Sequence, residues 1–576
     1  MTKARDSARG HLQDWERTQP ENFFTANHQL ARVLRRHWGE ERLGSHGKLL
    51  GHFGHVVATD LDEAARLNNR VANLPRLERW SSLGERIEEI EHHPSYELCG
   101  QAIYQEGRVI AVYAEPGNNL LAQALFYISS HAGEAGHNCP VACTAGVVKA
   151  LQRAGSQELK DRFLPGLLTD DYATRLDGAQ FLTEVQGGSD VGANCVEAKP
   201  DGQAFGTTRW RISGEKWFCS NVHADLILMT ARVEGGPDGT RGLGLFLVPR
   251  YLENGHINGL HIRRLKDKLG TRSMASAEVD FEDAVGYAVG PVEQGFSTVI
   301  NHVINTSRLY NTLGCTGLAR RAVEVASAYA KTRHAFGKPV IAYPLMQEMI
   351  ASMRATEAVV LSGALGLAAY ADQQERGELD ANGEAFLRVA TNLAKMRSCQ
   401  HSHRIILTGI ETLGGNGAIE SFSVLPRLLR DNVVYENWEG THNTLIAQTL
   451  RDFAKHGMHG AFFDELGRAM DGVEVTDEVE DLVDRLRAAT DGCRVGIERC
   501  LGHSDAGVAS LLVRPYLELA ADLYFATSHL LDLAGPGVEP ASEVERASLR
   551  WFLREWGRLP ECKTDDYVAE IALLAD

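Results

Sequence analysis

The chain has 576 residues, too many for a single hydrophobic core, and its length predicts about three to four domains. Hydrophobic residues make up 44% and charged residues 23%, which is ordinary for a soluble globular protein. The formal net charge of −17 works against nucleic-acid binding, because such a surface must displace counterions from phosphates with basic residues.

The opening segment Met1-Thr2-Lys3-Ala4-Arg5-Asp6-Ser7 lacks the apolar run of a secretory signal, so a cytoplasmic protein is expected. Residues 1–180 read as helices with loops, and Leu30–Trp38 and Leu61–Leu74 carry apolar residues at helical spacing. Leu120–Ser130 and Val141–Ala154 read as buried helices, the second with small residues (Ala142, Ala145, Gly146) that permit close packing. From Phe181 to Phe281 the pattern changes to short β-forming runs, Trp210-Arg211-Ile212, Leu226–Met229 and Leu243–Val248, punctuated by Gly, Asp and Pro. Residues 181–290 are therefore expected to form a small β-domain, with Ser213-Gly214-Glu215-Lys216 as a turn. After Pro291 helical spacing returns. Phe296–Ile304, Gly317–Arg333, Tyr343–Ala371 and Gly383–Gly409 read as four helices of a bundle over 291–456. Residues 457–576 read as an additional helical domain.

The longest apolar stretch, Ala358–Ala371, is broken by Ser362 and two glycines and falls short of a membrane span, so no membrane association is expected. The ten cysteines lack the paired spacing of a zinc site. Cys139 and Cys143 have no partner pair, and reduced buried thiols are expected. Acidity is concentrated at the end: from Gly460 to Asp576 there are 24 Asp plus Glu against 11 Lys plus Arg, a net of −13. The best basic candidate is 261–272, with His261, Arg263, Arg264, Lys266, Lys268 and Arg272, a run that also reads as a solvated face.

Five elements carry potential chemistry. Thr183-Glu184-Val185-Gln186-Gly187-Gly188-Ser189-Asp190 offers two glycines for close backbone approach and a hydroxyl at either end; it fits a ligand cradle or a tight turn. Trp217-Phe218-Cys219-Ser220 could wall a planar ring or fill a core. Arg333-His334-Ala335-Phe336-Gly337 holds an arginine suited to bidentate pyrophosphate binding or to a helix C-terminus. Leu413-Gly414-Gly415-Asn416-Gly417 permits backbone approach or a plain cap. Trp438-Glu439-Gly440-Thr441 sets a carboxylate on an aromatic, glycine-adjacent turn. Among apolar neighbours such a carboxylate resists ionising and can take a proton from a weak carbon acid, whereas in solvent it is only a turn residue. No Gly-x-Gly-x-x-Gly opens a strand–helix unit, so a Rossmann dinucleotide site is not expected.

Taken in order, with Lys268-Leu269-Gly270-Thr271-Arg272-Ser273 and Arg430-Asp431 between them, these elements resemble the acyl-CoA dehydrogenase flavoprotein superfamily over about residues 90–455. The long N-terminal region, Cys139-Pro140, Val185, Trp438-Glu439-Gly440 and the extra C-terminal helices look nearest to its alkylation-response (AidB) branch. The resemblance implies an α+β, mainly α, fold: a helical N-terminal domain, a central β-domain and a C-terminal four-helix bundle, assembled as a homotetramer that binds FAD. It implies Thr183, Gly188 and Ser189 near the flavin, Phe218 and Ser220 flanking its ring, and Arg333 and Phe336 reaching the FAD of a neighbouring subunit. Gly414, Gly415, Thr441 and Asn443 would complete the cofactor site, with Glu439 as catalytic base and no metal. Glu436 is the rival base, lacking the Gly-Thr that follows Glu439. The implied substrate is an acyl-CoA or related carbon acid, with an external electron acceptor. Glu411 and Pro344 stand where the superfamily often has FAD-contacting Gln, which weakens the main-branch reading more than the flavin reading. The alternative is an AidB-like, DNA-associated alkylation-response protein with feeble dehydrogenase activity, and the acidic C-terminal region disfavours DNA. An oxidase or monooxygenase on the same scaffold is a third.

Overall fold

The computed structural model describes residues 2–561 and 565–575, so the extreme ends of the 1–180 and 457–576 segments lie outside the described residues. The chain divides into two compact units: Leu49–Tyr310, and Met1–Lys48 together with Asn311–Asp576.

In the unit Leu49–Tyr310, buried helices Asn119–Ser130 and Ala135–Ala154 precede a seven-stranded sheet. A hairpin of β1 (Arg76–Trp80) and β2 (Arg86–Glu91) interrupts the region read from sequence as helices and loops. β1 alternates exposed with half-buried positions, and the fully buried position of β2 is the charged Glu88, so little apolar contrast marks the hairpin in the sequence; Leu77 and Ile90 pack against the sheet core. The large sheet comprises β3 (Gly178–Phe181), β4 (Glu197–Ala204), β5 (Thr207–Ser220), β6 (Leu226–Val233), β7 (Leu243–Pro249), β8 (Leu260–Leu265) and β9 (Ser276–Ala288). Their order is β3-β6-β4-β5-β9-β7 with β8 on β9, and β7 also pairs β6, so the path closes on itself around Phe181, Ile212, Phe246, Val248 and Val279. Ser213–Lys216 is not a turn: β5 runs through it, and the register shifts between Ile212 and Gly214. Gly214 has φ 137°, and a Cβ there would sit 2.9 Å from Val196 Cα. The glycine marks a bulge inside a strand rather than its end.

The second unit is a helical bundle, and the chain enters it along one helical run. Phe296–Ile304, which belongs to the first unit, and Gly317–Arg333 are not separate helices: a helical turn at Gly295–Thr298 passes through a wider one at Val299–Ile304 into the helix Asn305–Thr332 without a break. The intervening Tyr310, Asn311, Thr312, Cys315 and Thr316 are buried. A helix covered on all sides has no polar face, and its 3.6-residue period fades. The helices Pro344–Glu375 and Ala381–Leu413 follow, then Leu425–Asn437 and His442–His456.

Pro344–Glu375 is long and apolar enough to cross a membrane by length and composition, yet 78% of its most apolar stretch is buried inside the protein. Its glycines explain how. A Cβ on Gly363 would lie 2.4 Å from the Phe525 ring, and one on Gly366 would lie 3.1 Å from the Tyr524 hydroxyl, so the helix Ala506–Ala534 packs directly against its backbone. The same C-terminal helix buries Asp522, which accepts from His401 Nε2 at 2.6 Å and from Arg397 at 2.7 Å. Asp532 pairs with Arg36 at 2.6 Å, and Glu545 with Arg32 at 2.6 Å. Part of the C-terminal acidity is therefore spent inside the unit.

Gly363→Ala should lower stability by about 1–3 kcal/mol, the usual range for overpacking a tight contact. A fall in the thermal midpoint, with the assembly state unchanged, checks this.

Candidate active site

The predicted site residues fall into two sets, one in each compact unit. Thr183, Gly188, Ser189, Phe218 and Ser220 belong to Leu49–Tyr310, and Arg333, Phe336, Gly414, Gly415, Glu439, Thr441 and Asn443 belong to the bundle unit.

In the first set, the loop after β3 is pinned by a buried ion pair that sequence reasoning missed. Lys216 is 0% exposed, and its Nζ donates to Glu184 Oε1 at 2.8 Å and to the Leu182 carbonyl at 3.3 Å. Glu184 in turn accepts from the backbone N–H groups of Cys195 and Val196. Burial pulls the Lys216 ammonium below its ordinary value, against the opposing pull of Glu184. Lys216 shares its strand with Arg209, Arg211 and Glu215, so nothing in the sequence singles it out. Asn194 adds a bond from its Nδ2 to the Leu182 carbonyl at 2.9 Å. Within this frame the Trp217 N–H donates to the Thr183 carbonyl at 2.9 Å. A Cβ on Gly188 would come within 2.6 Å of Thr183 Oγ1, so glycine at 188 keeps that hydroxyl uncrowded. Phe218 is not core: it is 48% exposed, with the Lys266 ammonium 4.7 Å from its ring centre. Ser220 Oγ lies 3.3 Å from Ser276 Oγ. An exposed aromatic face, an uncrowded threonine hydroxyl and a glycine-lined loop fit the edge of a planar ring.

In the second set, the helix Asn305–Thr332 ends before Arg333, which lies just past the last turn rather than within it. The Arg333 N–H donates to the Tyr329 carbonyl, and its carbonyl accepts from Val340, both at 2.8 Å. A short hairpin, β10 (His334–Ala335) with β11 (Lys338–Pro339), turns at Phe336 (φ 52°) and Gly337 (φ 86°). Two consecutive left-handed residues make a tight primed turn, and it holds Phe336 96% exposed. Gly414 closes the helix Ala381–Leu413 at φ 61°, and Gly414 and Gly415 face open space. Gly417 serves packing instead, since a Cβ there would meet the Ile410 carbonyl at 2.2 Å. Thr441 caps the helix His442–His456, and Asn443 Oδ1 accepts from Arg514. The structure thus gives both residues work within the bundle.

Glu439 lies between the helices Leu425–Asn437 and His442–His456, with φ 54° followed by φ 107° at Gly440. Its neighbour Trp438 packs edge-on to Tyr435, ring centres 5.0 Å apart. The rival carboxylate, Glu436, has three side-chain donors. Glu436 receives His403 Nδ1 at 2.7 Å, Asn432 Nδ2 at 3.0 Å and His442 Nε2 at 3.3 Å. Burial alone would raise the Glu436 carboxyl, but the hydrogen bonds from His403 and His442 outweigh it and hold it at about 2. The bond to Glu436 raises His403 in return. These groups, with Gln400, Arg404, Leu407, Thr408 and Glu411, line an open cleft of about 480 Å³.

A helical region, a small closed sheet and a helix bundle are the elements of the acyl-CoA dehydrogenase class of oxidoreductases. The chain belongs to the acyl-CoA dehydrogenase family and carries that family's AidB-type N-terminal domain. Residues 15–174 match the adaptive response protein AidB N-terminal domain, 179–284 the acyl-CoA dehydrogenase middle domain, and 293–453 the acyl-CoA dehydrogenase C-terminal domain. The putative acyl-CoA dehydrogenase AidB of Escherichia coli (strain K12) is 32% identical over 476 residues, 80% of this chain and 82% of that protein. Acyl-CoA dehydrogenase family member 11 of Caenorhabditis elegans is 29% identical over 473 residues, 78% of this chain and 73% of that one. Among solved structures, the Bd2924 apo-form superposes with TM-score 0.78 at 27% identity, covering 94% of this chain and 99% of its own. Caenorhabditis elegans ACDH-11 in complex with C11-CoA gives TM-score 0.87 at 24% identity, covering 97% and 96%. The Bacillus anthracis acyl-CoA dehydrogenase complexed with FAD gives 0.66 at 18%, covering 89% and 86%.

Two outcomes follow from the ion pairs. Lys216→Met leaves the Glu184 carboxylate buried without its cation and should cost about 3–5 kcal/mol in denaturant unfolding, while replacing both partners by apolar residues recovers most of it. The Glu436–His403 pair is limited from both sides. Glu436 is depressed, so its contribution is complete above its unfolded value of 4.5 and lost as pH falls toward about 2. His403 is raised, so its contribution is complete below 6.5 and lost as pH climbs through its folded value. The thermal destabilisation caused by Glu436→Gln should therefore peak between pH 4.5 and 6.5.

Proposed function

We propose that this protein is an FAD-dependent dehydrogenase in which Glu439 removes the α-proton of an acyl-CoA thioester. The observation that carries the reading is the place of Glu439, at positive φ on the glycine turn between two helices. Glu436 is held as an anion by two histidines and is too weak a base to take a carbon-bound proton. Glu439 stands three residues on, where the family keeps its base, on a turn closed by Gly440 and Thr441. The residues present suit the cofactor: Thr183 with the uncrowded Gly188 for the ring edge, and the exposed Phe218 with Ser220 for its face. Bound FAD supplies the acceptor for the hydride that leaves Cβ. The chain's own part is to bind the thioester, exclude water and move the α-proton to a Glu439 oxygen. Relatives support the substrate class, since ACDH-11 was solved with C11-CoA. Phe336, a large aromatic left almost wholly exposed at the hairpin tip, supports a homotetramer in which it covers a neighbouring subunit's cofactor.

A second reading, a DNA-associated alkylation-response protein, rests on the AidB likeness. Against it stands the net charge of −13 from Gly460 to Asp576, which repels phosphates.

Anaerobic addition of a panel of acyl-CoAs to the yellow protein decides between them. Bleaching of the flavin band supports the dehydrogenase, and a salt-dependent shift of duplex DNA without bleaching supports the alternative. Glu439→Gln should bind FAD normally and reduce it roughly 10²–10⁴-fold more slowly, the usual worth of a positioned general base. Unchanged reduction in that variant removes Glu439 from the mechanism.

A further inference from the structure

We infer that Lys395 is the positioning residue for the proton-abstracting carboxylate, an inference that rests on the assignment of Glu439 as base. Lys395 lies in the middle of the helix Ala381–Leu413 and is 0% exposed. Its Nζ donates to the Glu436 carbonyl and to the Gly440 carbonyl, both at 2.9 Å. Those two oxygens bracket Glu439, three residues before it and one after.

Each acceptor sits where the backbone has need of a donor. Glu436 is in the last turn of the helix Leu425–Asn437, and carbonyls in a last turn have no intrahelical partner. The Gly440 carbonyl belongs to the turn just ahead of the Thr441 cap. One ammonium therefore staples the end of one helix to the entry of the next, across the single connecting turn.

That turn is strained. Glu439 holds φ 54° without being glycine, a conformation L-residues keep only when their surroundings over-determine it. If the staple is removed, the backbone can relax to negative φ, and the Cβ of Glu439, with its carboxylate, swings away. Lysine is a costly choice for a site that needed only packing, because an ammonium out of water demands acceptors for its protons. Here two of its bonds go to backbone carbonyls on either side of this one turn.

The lysine thus acts on the reaction through the carboxylate. Its loss should change the proton-transfer step more than substrate or cofactor binding. A purely structural role would lower the yield of folded protein and leave the chemistry of the folded fraction unaltered.

The test uses the FAD-loaded full-length protein, with Lys395→Met read in two ways. Hydrogen exchange followed by mass spectrometry over 436–444 should show the amides of Trp438–Thr441 exchanging at least about tenfold faster, with exchange elsewhere in the bundle unchanged. Anaerobic stopped-flow bleaching with a saturating acyl-CoA should slow by about 10²-fold, the usual cost of misplacing a catalytic group by an ångström. KM should stay within about threefold, and the isotope effect from α-deuterated substrate should rise. In a Glu439→Gln background Lys395→Met should cause no further slowing. Unchanged exchange over 438–441, or an equal loss of rate in the Glu439→Gln background, overturns the inference. If wild-type protein is bleached by no acyl-CoA, the base assignment falls and the inference with it, while faster exchange would still identify the staple. Should Lys395→Met fail to fold, Lys395→Gln, which keeps an amide donor, is read by the same criteria.

Discussion

An ammonium group taken out of water must find an acceptor for its protons, and two lysines with no exposed surface, one in each unit, set the geometry of the segments that carry the candidate residues. Lys216 ties Glu184 and the Leu182 carbonyl together under the Thr183 loop. Lys395 ties two backbone carbonyls together around Glu439. In each case the ammonium bonds to groups of the segment that carries the candidate residues. It fixes the backbone that presents them. Desolvation makes such groups costly to bury and costly to leave half-satisfied, so the segments they hold have few alternative conformations.

The contrast between Glu436 and Glu439 follows the same logic of local charge. Two carboxylates three residues apart are close in sequence yet differ in setting. The imidazoles of His403 and His442 hold one as a permanent anion. The other sits at the bend where the helix has already ended. Over the whole bundle unit, acid is also spent inside: Asp522, Asp532 and Glu545 each meet arginine or histidine from a different helix. The C-terminal acidity is thus partly a device for joining helices.

Much of this was legible in the sequence, and the reasons differ by element. The runs Leu226–Met229 and Leu243–Val248 were visible because they are continuously apolar, and the strands Leu226–Val233 and Leu243–Pro249 contain them. The Glu439 turn was visible because its glycine and threonine are a helix stop and a helix start. What stayed hidden was whatever depends on long-range pairing. A lysine reads as surface until its partner is known, so neither Lys216 nor Lys395 stood out. Gly214 reads as a turn until the neighbouring strand shows that β5 continues through it. The hairpin β1–β2 shows little apolar contrast because most of its positions are exposed or half-buried and its fully buried residue is a glutamate.

The two glycines that let Pro344–Glu375 meet Ala506–Ala534 at backbone distance have a consequence for synthesis. The apolar helix is made well before its partner, with more than a hundred residues between them. At ordinary translation rates that is a delay on the order of 10 s. During that interval the most membrane-like surface of the chain has no permanent cover. The nascent protein must shield it by provisional contacts or by chaperones, and the C-terminal helices act as the lock that ends its exposure.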